Sequence, residues 1–189
     1  MRVELKVLNK EFYRVDKLGG SYYDIPAYQT DGAAGVDLKA TRSYTIFPGE
    51  TVDIPTGIAI HLGSGLGNTG FSGPHSAMGL LVPRSSWGAK GLALVNTVGI
   101  IDSDFQGQII IKAKNTNIID SRIQAFMLTG SAEVKRYAAG LIESIDIKAG
   151  DRIAQLVFVP ILTPHFKIVE EFSEQTVRGE NGWGSTSDE

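Results

Sequence analysis

The stretch GIIDSDFQG, Gly99 to Gly107, sets two aspartates on either side of one serine, just ahead of an aromatic and a glycine. A carboxylate is a candidate for acid–base chemistry. On a plain strand Asp102 and Asp104 share one face and Phe105 takes the other, so alternation does not choose between the acids. Three more segments suit a phosphorylated ligand. Pro83-Arg84-Ser85-Ser86 follows an apolar run and offers a guanidinium fork and two hydroxyls where strand N–H groups come free. Gly150-Asp151-Arg152-Ile153-Ala154-Gln155-Leu156 reads as a turn entering a strand, and Arg152 serves equally well as the ion-pair partner of a neighbouring Asp. Near the C-terminus, Arg178-Gly179-Glu180-Asn181-Gly182-Trp183-Gly184-Ser185-Thr186 combines a cation, a permissive backbone, a flat aromatic and two hydroxyls. That set suits a phosphorylated, ring-bearing ligand.

Such residues need a scaffold, and the apolar content lies in short runs rich in Val, Ile and Leu: 3–7, 51–54, 58–62, 79–82, 92–98, 109–111 and 153–161. Turn residues punctuate them at Pro48-Gly49, Gly65 to Gly70, Ala149-Gly150-Asp151 and Pro160, which predicts an antiparallel β-barrel or sandwich. Gly63 to Gly73 is a Gly/Ser/Asn-rich loop with no GxxxxGK[ST] pattern and no helix pattern after it, so it reads as a surface loop. Thr116 to Ala149 breaks the β rhythm. After Ser131 as a candidate N-cap, Val134, Tyr137, Ala138, Leu141, Ile142 and Ile145 form a helical stripe. From Phe172 the chain turns polar, and 173–189 reads as a mobile arm.

The chain has 189 residues and no cysteine, which predicts a single domain over 1–189 and excludes disulfides, zinc–cysteine sites and thiol nucleophiles. No segment approaches 18 consecutive apolar residues. A formal charge of -3 argues against broad adhesion to nucleic acid or an anionic membrane. The expectation is a soluble cytoplasmic protein. His61, His75 and His165 have no motif spacing and read as surface or core residues.

Five segments in order, AAGVDL, VPRSSWGAKGLALVN, TVGIIDSDFQG, AGDRIAQL and RGENGWGSTS, strongly resemble the five motifs of the homotrimeric dUTPases. Trp183 stands where the family usually has Phe, which preserves stacking. The resemblance implies a distorted, jelly-roll-like β-barrel and hydrolysis of dUTP to dUMP and pyrophosphate, with Mg2+ chelated by the triphosphate. Arg84, Ser85, Ser86, Gln155, Arg178, Ser185 and Thr186 match the phosphate contacts. Gly182, Trp183 and Gly184 belong to the same closing segment, and Asp37 matches an aspartate that acts through magnesium-bound waters. The catalytic aspartate of the family stands three residues before the aromatic, which selects Asp102.

In the family a β-hairpin offers main-chain groups to uracil. Here 96–101 and 107–111 would be its arms, with Asn96, Gly99, Ile100, Ile101 and Ile110 around the base. Pairing Asp102 with Gly107 leaves a four-residue loop and sets Gly99 opposite Ile110. Phe105, in place of the usual tyrosine, keeps the flat face beneath the deoxyribose. The sister dCTP deaminases carry a glutamate ten residues after the aspartate, where this chain has Lys112. The segment 116–149 resembles, in position, an insert of some phage-encoded dUTPases that also engage regulatory proteins. The resemblance implies a trimer with shared sites, over which the arm closes.

Overall fold

Residues 108–115, QIIIKAKN, are buried alternately: Ile109, Ile111, Ala113 and Asn115 point inward, while Ile110, Lys112 and Lys114 face out. A period of two with β-branched side chains inside is the pattern of a half-buried strand. Each fully buried isoleucine contributes roughly 1.5–3 kcal/mol. The computed structural model describes residues 3–15, 22–23, 25–63, 75–134 and 141–180. Its strands are β1 (Glu4–Val7), β2 (Arg14–Val15), β3 (Tyr22–Tyr23), β4 (Val36–Lys39), β5 (Tyr44–Ile46), β6 (Thr51–His61), β7 (His75–Pro83), β8 (Leu92–Leu94), β9 (Gly99–Ile101), β10 (Gln108–Asn115), β11 (Ile145–Ile147) and β12 (Arg152–Leu162). Among the described residues the helices α1 (Ser85–Gly88) and α2 (Ser121–Thr129) and a helical stretch at 132–134 accompany these strands.

Two four-stranded antiparallel sheets, β1-β6-β10-β8 and β4-β12-β7-β9, are accompanied by the pairs β11-β5 and β2-β3. Ile54, Ile58, Ile111 and Leu94 of the first sheet and Leu38, Leu81, Ile153 and Leu156 of the second belong to one core. The all-β, jelly-roll-like expectation holds in this layered form.

Local differences from the sequence reading have physical causes. The runs 51–54 and 58–62 form one strand, because Gly57 at φ 75° absorbs a bulge between Pro55 and Ala59. Pro160 does not end a strand: it lies inside β12, beyond the reach of β4, where only β7 pairs. The stripe after Ser131 holds at its start, where residues 132–134 are helical, and is corrected at its end. Val134 N–H does reach Ser131 Oγ at 3.4 Å. Ile145, however, belongs to β11, paired with Ile46, and residues 135–140 lie outside the described residues. A separate helix, α2, comes before the stripe and is started by Asp120, whose Oδ1 accepts the Arg122 N–H at 2.8 Å. Bonding to Arg122 holds the Asp120 carboxyl down at about 2. The Gly/Ser/Asn-rich loop lies outside the described residues beyond Gly63.

Fully buried Asn115 fastens the base of the segment between β10 and β11. Its Nδ2 donates to Ile46 O at 2.9 Å and Glu143 O at 3.0 Å, while its Oδ1 accepts from Asn117 N at 2.9 Å. The segment therefore leaves and rejoins the sheets at one clasp.

Candidate active site

Strand alternation sends Val36 and Leu38 into the core and turns Asp37 to the other face of its sheet; Ala154 and Leu156 do the same for Gln155. Register sets Gln155 opposite Asp37 on one side and opposite Val82 on the other. Arg84 follows immediately on β7. At the start of β12, a turn with Gly150 at φ 95° is tied to Ala40, with Gly150 N donating to Ala40 O at 2.7 Å, so Arg152 enters beside Asp37. Four side chains therefore converge at one sheet end. Arg84 Nε lies 3.2 Å from Asp37 Oδ1, Arg152 Nη1 lies 3.3 Å from Oδ2, and Gln155 Nε2 donates to Oδ1 at 3.4 Å. Asp37 is only 7% exposed, so these donors stand in for its lost hydration.

The rest of this end is braced by α1. Buried Trp87 donates its Nε1 proton to Arg152 O at 2.8 Å, and Arg84 Nη1 donates to the same carbonyl at 3.3 Å. Ser85 and Ser86, at the head of α1, are exposed. Sequence reading gave Trp87 no role, although it follows the two serines directly. Arg152 proves to be the ion-pair partner of Asp37, one of its two readings, and is itself held by Gln29 Oε1 at 3.1 Å.

The second constellation departs from the expected hairpin. β9 does not pair with β10: it pairs with β7, Gly99 opposite Leu81 and Ile101 opposite Gly79. β8 pairs with β10 as far as Leu94 opposite Ala113, after which the chain changes sheets. Thr97, with φ 63°, makes the change, at a cost of about 1–3 kcal/mol for a residue held in the left-handed region. A Cβ at Gly99 would lie 3.0 Å from the Leu81 Cβ, so glycine lets β9 lie close against β7 here. Lys112 O accepts from Val95 N at 3.0 Å, so the main-chain groups of Ile110, two residues earlier, point to the same side, where no strand follows. Asn96, Ile100 and Ile110 are exposed around this gap, with Ile101 half-buried.

Asp102 follows β9 and opens a turn in which Phe105 N donates to Asp102 O at 3.2 Å, with Asp104 inside the turn. Ser103 O accepts from Leu62 N at 3.3 Å and moors it. The Phe105 ring lies against Gly107, where a Cβ would come within 2.6 Å of it. Asp102 and the phosphate-type cluster do not meet within the chain. Ile101 sits opposite Gly79, five residues of strand from Arg84, or about 16 Å. Arg178 lies in the exposed stretch after β12, while Gly182, Trp183, Gly184, Ser185 and Thr186 lie outside the described residues.

The dUTPase family pattern matches residues 21–127 and 127–187. The deoxyuridine 5'-triphosphate nucleotidohydrolase of Shewanella amazonensis is 37% identical over 185 residues, covering 96% of this chain and 94% of that protein. The chain belongs to the dUTPase family. Among solved structures, a mutant dUTPase of Staphylococcus bacteriophage 80alpha with dUpNHpp is 27% identical, with a TM-score of 0.70 and 98% of each chain covered. A mutant dUTPase of Staphylococcus aureus phage phi11, described with a structural Mg(II) ion, is similar in fold at 24% identity and a TM-score of 0.65, covering 92% of this chain and 100% of that one.

For a dUTPase the donor set bears directly on the metal. Both Asp37 oxygens are engaged by guanidinium groups, and no group of three or more His, Asp or Glu among the described residues could hold an ion. The described residues fit magnesium carried on substrate oxygens and met through water. Lys112 is paired with Asp53 directly opposite, at 2.6 Å, an ion pair across two strands of the dUTPase sheet. His61 is half-exposed beside Glu4 at 3.1 Å, a surface role as expected.

Proposed function

We propose that the chain hydrolyses dUTP to dUMP and pyrophosphate. The observation that carries this reading is the pair of guanidinium groups anchored on Asp37 beside Ser85 and Ser86, in a chain of the dUTPase family. Arg84 has Nε and Nη1 tied to Asp37 and Arg152 O, which leaves Nη2 ready to donate to a phosphate oxygen without rearrangement. The Ser85 and Ser86 hydroxyls and Gln155 add donors, and Arg178, Ser185 and Thr186 close on the triphosphate with Gly182, Trp183 and Gly184. Asp102 takes a proton from the water that attacks the α-phosphorus; the bond to the bridging oxygen breaks and pyrophosphate leaves. Asn96, Gly99, Ile100, Ile101 and Ile110 frame uracil with main-chain groups, while the Phe105 ring lies beneath the deoxyribose. Magnesium, arriving with the nucleotide, neutralises phosphate charge when bound.

The two half-sites about 16 Å apart along the strands favour a homotrimer in which one chain's Asp102 faces a neighbour's Arg84 cluster. Leu162, Phe166, Ile168 and Phe172 are 76–98% exposed, apolar surface that a neighbouring chain would cover. Free dUTP in the cytoplasm is the substrate, and the segment between β10 and β11 is an accessory open to a regulatory protein. Hydrolysis in 18O-labelled water tests the chemistry: label in dUMP supports attack at the α-phosphorus, and label confined to pyrophosphate overturns it.

A further inference from the structure

Thr97 is the one non-glycine residue with positive φ among the described residues. A β-branched residue in this region is a true outlier, since its side chain crowds the backbone there. Two hydrogen bonds hold it: Val98 N donates to Asn96 O at 2.6 Å across Thr97, and Thr97 N donates to Leu94 O at 3.1 Å. The first closes a γ-turn of the rare, strained hand. The turn sits where the chain leaves one sheet for the other, between Leu94 opposite Ala113 and Gly99 opposite Leu81. Were Thr97 extended, Val95 to Ile101 could continue along β10 as a simple hairpin and cover the free edge at Ile110. The turn at Thr97 keeps that edge open.

We propose that Thr97 is a positioning residue that fixes the width of the slot between the 96–98 turn and the Ile110 main chain, and so sets discrimination against a pyrimidine carrying a 5-methyl group. It acts through the main chain of Asn96 and Val98 rather than by touching the ring. The proposal rests on the reading of the site as a dUTP site. A threonine at this φ has little freedom to drift, whereas glycine accepts the same φ and many others, so glycine would loosen the slot.

The test compares wild type, Thr97→Gly and Thr97→Asn, asparagine being a residue that tolerates the left-handed region. kcat and KM are measured separately for dUTP and dTTP, with thermal midpoints. Thr97→Gly is expected to raise KM for dUTP more than it lowers kcat, and to reduce the dUTP-over-dTTP ratio of kcat/KM by about tenfold, within the range one methyl group commands. Thr97→Asn should restore most of the ratio. A Thr97→Gly ratio equal to that of wild type, or an equal loss of kcat on both substrates, overturns the proposal. The wild-type ratio tests the dUTP reading separately, because that reading fails if wild type itself shows no preference for dUTP. Should Thr97→Gly not fold, Thr97→Asn decides: a ratio kept close to that of wild type supports the slot, and a loss of the ratio at an unchanged midpoint overturns it.

Discussion

Arg84 reaches Asp37 across the full width of β12, the strand between theirs, and its Nε closes on Oδ1 at 3.2 Å. One buried carboxylate thereby fixes the guanidinium most directly available to a phosphate. Asp37→Asn keeps the shape and removes the charge. Solvent weakens both ion pairs, because Arg84 and Arg152 are 32% and 45% exposed. The expected cost is therefore about 1–2 kcal/mol, below that of a fully buried pair. Urea unfolding measures it, and dUTP turnover should fall about 100-fold as Arg84 loses its anchor.

Asp102 makes the opposite prediction. Its side chain is exposed and forms no ion pair among the described residues, while its carbonyl serves the turn. Asp102→Asn should lower kcat by about 100-fold to 10,000-fold with the thermal midpoint held within about 1 °C. An Asp104→Asn variant with the larger loss would reverse the assignment.

How legible this was in the sequence differs from element to element. The alternation in Gln108–Asn115 is strong because both periodicity and β-branching agree, so the strand could be read directly. β5 and β11, three residues each, carry too few positions for a period to show, and Ile145 fell by coincidence into phase with a helical stripe. The hairpin failed for another reason. Its loop length and glycine placement were locally sound, but pairing of Gly99 with Leu81, 18 positions earlier, outweighs local pairing with Ile110. Asp37 and Arg152 were both visible as charges beside apolar runs. That they bind one another depends on the Asp37–Gln155 register, which no local pattern encodes.

The contact between Phe105 and Gly107 supplies a prediction about the sugar. A methyl group at 107 would come within 2.6 Å of the ring and push it from its seat. Gly107→Ala should thus reduce the preference for dUTP over UTP by about tenfold, read as a ratio of kcat/KM. Phe105→Tyr, which keeps the ring and adds only a hydroxyl, should leave that preference within about threefold.

Residues 163–180, after β12, are exposed and include Arg178. Ending the chain at Thr176 removes Arg178 and the motif beyond it while sparing every strand. Light scattering should still report a trimer, and dUTP turnover should drop by about 100-fold or more. Full turnover in the shortened chain would separate the arm from the chemistry.

The central claim is selective hydrolysis of dUTP, and a nucleotide panel tests it most directly. Pyrophosphate and ammonia release are followed for dUTP, dTTP, UTP and dCTP, each with and without magnesium. The account predicts rapid pyrophosphate release from dUTP alone, strengthened by magnesium. Ammonia release from dCTP, or equal pyrophosphate release from dUTP and dTTP, would contradict it.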